Sequence, residues 1–201
     1  SDVTEWKLTL KDDGRNLFSV DNDVVKISSK LIVSYSNAKT GDNEYISAMI
    51  CDSAGNGKYY GRVKALTSSE DASGTAKISL AGVTMNEGDK LYVFNEQYND
   101  DKKTDYSSDL KEVNIPANVN AYDVETSLTN LTFSGNDYAK TSEDYTATLK
   151  AEENYALPEN ITVKVGNAEL TAGDNTYSYN SGSGVITIKS SAIKGKITIT
   201  A

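Results

Sequence analysis

The densest group of side chains able to do chemistry is Asn95–Asp109, "NEQYNDDKKTDYSSD". Tyrosine joins an apolar ring to a polar tip, so Tyr98 and Tyr106 suit stacking on sugar rings. Glu96, Asn99, Asp100 and Asp105 suit hydrogen bonding to the hydroxyls such a ring carries. The stretch follows the most apolar strand pattern in the chain, with Leu91 and Val93 alternating with Tyr92 and Phe94. Both faces of that strand are therefore expected to be packed or covered, and a long loop leaving a rigid sheet is where binding residues tend to sit. These six residues are the expected ligand-binding set. The competing account is a solvated loop whose tyrosines cover the edge of a core, the commoner fate of exposed polar segments.

Other chemistry is thinner. Asp21 and Asp23 would share one face of a strand. Calcium, however, takes about six to eight converging oxygens, and no stretch has the D-x-[DN]-x-[DN]-G spacing of a calcium loop. A glycosidase needs two carboxylates at a set separation across a cleft. With 29 acidic residues some pair is always conceivable, so that signal has no specificity. A Lys–Asn isopeptide staple needs a lysine in an apolar core. Lys7 or Lys26 with Asn114, or Lys150 with a late asparagine, are conceivable, but each lysine alternates with apolar neighbours in a way that points it outward. The chain has no histidine, which removes Ser-His-Asp and Cys-His nucleophiles and imidazole zinc sites. A lone Cys51 forms no internal disulfide or thiolate cage, and after "SAMI" it reads as a small buried hydrophobe. No catalytic residue, metal or cofactor is expected.

Charge narrows the partners. Twenty basic against 29 acidic residues give a net charge of −9, which argues against nucleic acid and anionic membrane. No stretch approaches the roughly 18 apolar residues of a spanning helix, so no membrane insertion is expected. The opening "SDVTEWKLTL" lacks a signal-peptide pattern and reads as part of something longer.

Positioning falls to strands. Of the aromatics 13 are tyrosine, beside 3 phenylalanines and one tryptophan, and Thr, Ser, Val and Ile are abundant, a strand-forming mixture. Alternation recurs in "WKLTL", "LFSV", "KLIVSYS", "YISAMIC", "KYYGRVKAL", "TAKISL", "KLYVFNEQY" and "LKEVNI", punctuated by "KDDG", "KTGDN", "DSAGNG", "EDASG" and "NEGD". Trp6 falls with Leu8 and Leu10 on a core face. The adjacent Tyr59 and Tyr60 must point to opposite faces, so at most one is a ligand platform. Helix is expected nowhere beyond a turn or two near Thr104–Leu110. In the second half Ile161, Val163 and Val165 alternate before a Gly166-Asn167 reversal, "YSYNSGSGVITIK" reads as a hairpin with Tyr177 and Tyr179 packing inward, and Ile197 and Ile199 share a face. The expected fold is all-β, with two tandem antiparallel β-sandwich domains, the C-terminal one immunoglobulin-like. Residues 1–115 form the first, 116–123 ("PANVNAYD") a linker, and 124–201 the second.

The stretch from Tyr138 to Ala201, "DYTATLKAEENYALPENITVKVGNAEL" through "VITIKSSAIKGKITITA", resembles β-rich modules of large Gram-positive cell-surface proteins of the gut Clostridia type. The first half, through "GDNEYISAMICD", "KYYGRVKAL" and "LYVFNEQYNDDKKTDYSSDL", is similar to segments of such proteins found near leucine-rich repeats. The resemblance implies an exported, multidomain parent, extracellular and held at the cell wall by parts of the chain outside this sequence. "LPENI" at Leu157–Ile161 differs from an LPxTG sorting signal, with Asn160 and Ile161 replacing Thr and Gly, and is not an anchor. The expected function is that of a non-catalytic spacer or adhesion module, with a glycan or a host or cell-surface protein as partner. The alternative is a carbohydrate-binding module of a larger extracellular enzyme.

Overall fold

The computed structural model describes residues 13–201; the expected "WKLTL" strand, with Trp6 and Lys7, lies outside them. The chain is all-β with several antiparallel sheets, and its helical content among the described residues is three short 3-10 turns, Arg15–Leu17, Ser69–Ala72 and Ser190–Ala192. None of the described helices is long and apolar enough to cross a membrane. In chain order the strands of the first half are β1 (Ser19–Val20), β2 (Val25–Ile27), β3 (Lys30–Ser36), β4 (Glu44–Cys51), β5 (Gly57–Ala65), β6 (Gly74–Ser79), β7 (Lys90–Tyr98), β8 (Thr104–Ser107) and β9 (Lys111–Val113). Those of the second half are β10 (Ala121–Ser127), β11 (Leu131–Ser134), β12 (Tyr138–Lys140), β13 (Tyr145–Ala151), β14 (Thr162–Val165), β15 (Ala168–Glu169), β16 (Tyr177–Tyr179), β17 (Val185–Ile188) and β18 (Ile197–Thr200).

Two compact units result. Among the described residues one comprises 13–24 and 29–116, the other 25–28 and 117–201. The small segment Val25–Ser28 belongs with the second unit because Lys26 is held by Asn120: its amide donates to Asn120 Oδ1 at 2.6 Å, and its carbonyl accepts from the Asn120 amide at 3.0 Å. Strand β10 begins at Ala121, inside the segment whose composition reads as a linker.

In the first unit β3 is flanked by β1 and β6. Facing it is the sheet β5-β4-β7-β8, with β9 also on β7. Alternation supplies one core from both sheets: Leu31, Val33 and Tyr35 from β3, Ala76 and Ile78 from β6, Ile46, Ala48 and Ile50 from β4, and Leu91 and Val93 from β7. Each isoleucine or leucine so buried contributes roughly 1.5–3 kcal/mol. The helical turn expected near Thr104–Leu110 is instead β8, because Ser107, Tyr106 and Thr104 complete the hydrogen-bonding edge of β7 opposite Glu96, Gln97 and Tyr98.

The second unit has sheets ordered β12-β10-β18-β14-β15 and β11-β13-β17-β16. Its core takes Ala147 and Leu149 from β13, Val163 from β14, Ile186 and Ile188 from β17, and Ile197 and Ile199 from β18. Tyr177 is buried in that core and Tyr179 packs against it, each with its hydroxyl donating to a backbone carbonyl. Gly166 turns the β14–β15 hairpin with a left-handed φ of 59°. Gly184 admits no side chain: φ is 77°, and a Cβ there would lie 2.0 Å from the Leu149 carbonyl oxygen. One pairing departs from the antiparallel expectation, since β10 and β18 run parallel. Lys150, one of the lysines conceivable for an isopeptide, points to solvent.

Candidate ligand-binding face

Strand period decides which side chains of the large sheet can meet a partner. On β4 and β7 the residues Glu44, Ile46, Ala48, Ile50, Leu91, Val93, Asn95 and Gln97 take the inner face. Their alternates face away from the core. Cross-strand register then sets three rows on that outer face: Tyr60, Met49 and Tyr92; Arg62, Ser47 and Phe94; Tyr45, Glu96 and Ser107. Tyr98 follows beyond a bulge, opposite Thr104.

Polar contacts fix these rings. Glu96 is only 1% exposed, yet it lies on the outer face. Its carboxylate accepts from the Tyr60 hydroxyl and, at 3.3 Å, from Thr104 Oγ1. Burial, then the hydrogen bond to Glu96, push the Tyr60 phenol well above its ordinary range, so it stays a donor. The Ser47 hydroxyl lies near enough to oppose that shift, but among the described residues it makes no hydrogen bond of good geometry. Tyr60 leans on Phe94 with ring centroids 6.4 Å apart, and the residue is 47% exposed. The Arg62 guanidinium stacks 4.4 Å from the Tyr98 centroid and 5.3 Å from that of Tyr45.

The inner face at the same end of the sheet is a buried ion-pair network. Arg15, 2% exposed, donates to both Glu44 oxygens at 3.0 Å and to Asp13 at 2.7 and 2.5 Å. The hydrogen bonds from Arg15 hold the Asp13 carboxyl down at about 2. Burial works against the Arg15 charge, and the bonds to Asp13 and Glu44 outweigh it, so its pKa rises. Tyr106 lies 5.6 Å from this guanidinium. Asn95 ties the Lys39 segment to the sheet, accepting from the Lys39 amide at 2.7 Å and donating to the Lys39 and Tyr45 carbonyls.

The residues expected to form one loop site are therefore divided. Asn95–Asp109 is a β-hairpin with a tip at Asn99–Lys103, because β7 runs on to Tyr98 and β8 returns from Thr104. Glu96 and Tyr98 lie on the outer face, whereas Tyr106, opposite Gln97, lies on the inner face over Arg15. Tyr98 and Tyr106 thus form no common platform. Asn99 contacts Asp105 across the hairpin, and Asp100 is exposed at its tip. Cys51 is half-exposed at the far end of the outer face and is not a core residue. Sequence reasoning missed Tyr45, Arg62 and Tyr92. One signal was in reach: the chain has only two arginines, and "YYGRV" places Arg62 on the same strand face as Tyr60.

Asp21 and Asp23 are exposed turn residues, and the Asp21 carboxylate accepts from the Asp23 amide. Among the described residues no three of the types His, Cys, Asp and Glu are grouped to hold a metal. No protein-family model matches the chain, and no curated protein matches it significantly. The likeness to bacterial surface modules thus rests on the sequence stretches quoted above.

Proposed function

We propose that this chain is a non-catalytic adhesion module of an exported bacterial surface protein. It is built as two tandem β-sandwiches, of which the second, immunoglobulin-like one is a spacer and the first recognises a partner. One observation carries this reading: the outer face of the β5-β4-β7-β8 sheet presents Tyr45, Tyr60, Tyr92 and Tyr98 at a surface, with the Tyr60 ring held in place by buried Glu96. A sheet serving only as a spacer gains nothing from leaving an exposed tyrosine anchored to a buried carboxylate. Rigid aromatics of this kind give large contact area at small entropic cost. In the second unit β10 and β18 pair in parallel, so the start of β10 and the end of β18 lie at opposite ends of that seam, an arrangement that suits a spacer.

The test is adhesion of the fluorescently labelled chain to surfaces coated with mucin, plant cell-wall material or Gram-positive wall. Binding to at least one surface, lost in Tyr60→Ala with unchanged circular dichroism and kept in Tyr155→Ala, supports the proposal. Tyr155 is exposed in the second unit and serves as the control. Equal binding by both variants, or binding to no surface, overturns it.

A further inference from the structure

Of the two arginines, one is fully committed and the other is not. Arg15 is buried and has its donors on Glu44 and Asp13. Arg62 is exposed and makes no ion pair among the described residues. Its guanidinium carbon lies over the Tyr98 and Tyr45 rings, 4.4 and 5.3 Å from their centroids, and its N–H donors make no hydrogen bond among the described residues. Five such donors in a rigid fork match a carboxylate bidentately. The neighbouring carboxylate does not compete for them: Glu96 sits 1% exposed beneath the rings, engaged by Tyr60 and Thr104. What meets an incoming molecule is therefore an exposed tyrosine ring beside an unpaired guanidinium.

Resting on the adhesion reading above, we infer that the outer face binds a carboxylate-bearing saccharide, with Arg62 taking the carboxylate and Tyr60 the C–H face of a sugar ring. A purely apolar partner would desolvate Arg62 with nothing to pair it, which is costly. A saccharide acid supplies in one small unit the flat apolar face and the anion that this arrangement complements. Glu96 is a positioning residue: it fixes the Tyr60 ring and does not touch the ligand. Uronic acid polymers and sialylated glycans share this chemistry.

Affinity electrophoresis of the intact chain distinguishes the sources. The gels contain polygalacturonate, its methyl-esterified form, a neutral β-glucan, sialylated mucin, or the same mucin after sialidase. The expected result is retardation by polygalacturonate or by sialylated mucin, weakened by added salt and abolished by esterification or sialidase. Arg62→Ala is expected to weaken binding about 10–100-fold, the range for hydrogen bonds to a charged group. Arg62→Lys, which keeps charge but loses the fork, should recover only part of it. Arg62 is exposed, so neither variant threatens the fold, and Tyr155→Ala should be retarded like the parent. Equal retardation by the neutral, esterified or sialidase-treated matrices overturns the inference, as does retardation indifferent to Arg62. So does the absence of retardation in every gel. If Tyr60→Ala abolishes adhesion to a coated surface while no gel retards the chain, the saccharide inference fails and the adhesion reading stands.

Discussion

Replacing Glu44 by alanine should unlock the inner end of the large sheet. Glu44 and Arg15 are each 2% exposed and joined by two hydrogen bonds of 3.0 Å. Removing one partner of a fully buried pair costs about 3–5 kcal/mol, chiefly because the surviving charge stays buried. Arg15 keeps both contacts to Asp13, so the lower end, about 3 kcal/mol, applies here. Amide hydrogen exchange at Ile46, Ala48 and Val93, core positions of β4 and β7, reads this unit directly. A loss of about 3 kcal/mol lowers their protection roughly 100-fold. The double variant Arg15→Met, Glu44→Leu removes both charges and should recover most of the loss, since apolar replacement of a buried pair is often near neutral. The reasoning is refuted if Glu44→Ala changes protection less than about fivefold, or if the double variant is no more protected than the single one.

Acid should act on the same network. The Asp13 pKa is depressed from 3.8 to about 2, so its stabilisation is complete above pH 4 and is lost as pH falls through 2. After allowance for solvent screening this is about 1–2 kcal/mol, and Asp13→Asn should flatten the acid limb of a denaturation profile. At the alkaline end burial raises Tyr145 to about 12, aided by Asp137. The stability Tyr145 contributes is present below pH 10 and fades as pH rises through 12, and ultraviolet titration should lose one late-ionising tyrosine in Tyr145→Phe. Gly184→Ala, which sets a Cβ against the Leu149 carbonyl at positive φ, should destabilise the second unit by at least about 2 kcal/mol, measured by urea denaturation. A change below about 0.5 kcal/mol would show that the turn relaxes freely.

The all-β class was legible because alternation in "YISAMIC", "KLYVFNEQY" and "ITVKV" is read by local sterics, and each became a strand. Tyr177 and Tyr179 were correctly read as packing for the same reason. The return strand Thr104–Ser107 reads from sequence as loop or helical turn, and Asn95 and Glu96, although within the strand pattern "KLYVFNEQY", look solvated when only neighbours in sequence are considered. Their burial depends on partners far along the chain: Lys39 and Tyr45 for Asn95, Tyr60 for Glu96. The candidate face was half legible. Glu96 and Tyr98 were singled out, but Arg62 and Tyr45 join them only through the β5–β4–β7 register, which no local pattern encodes.

Because β10 and β18 run the same way over the pairs Val124–Ile197 to Ser127–Thr200, the start of one and the end of the other point in opposite directions. Tension applied between Ala121 and Ala201 therefore shears this seam and loads its hydrogen bonds together, whereas an antiparallel seam would open one bond at a time. Pulling between Ala121 and Gly195 would peel the seam from one end, and single-molecule force measurements should find it yielding at distinctly lower load. A unit with this wiring withstands tension across that seam better than one whose two strands ran antiparallel.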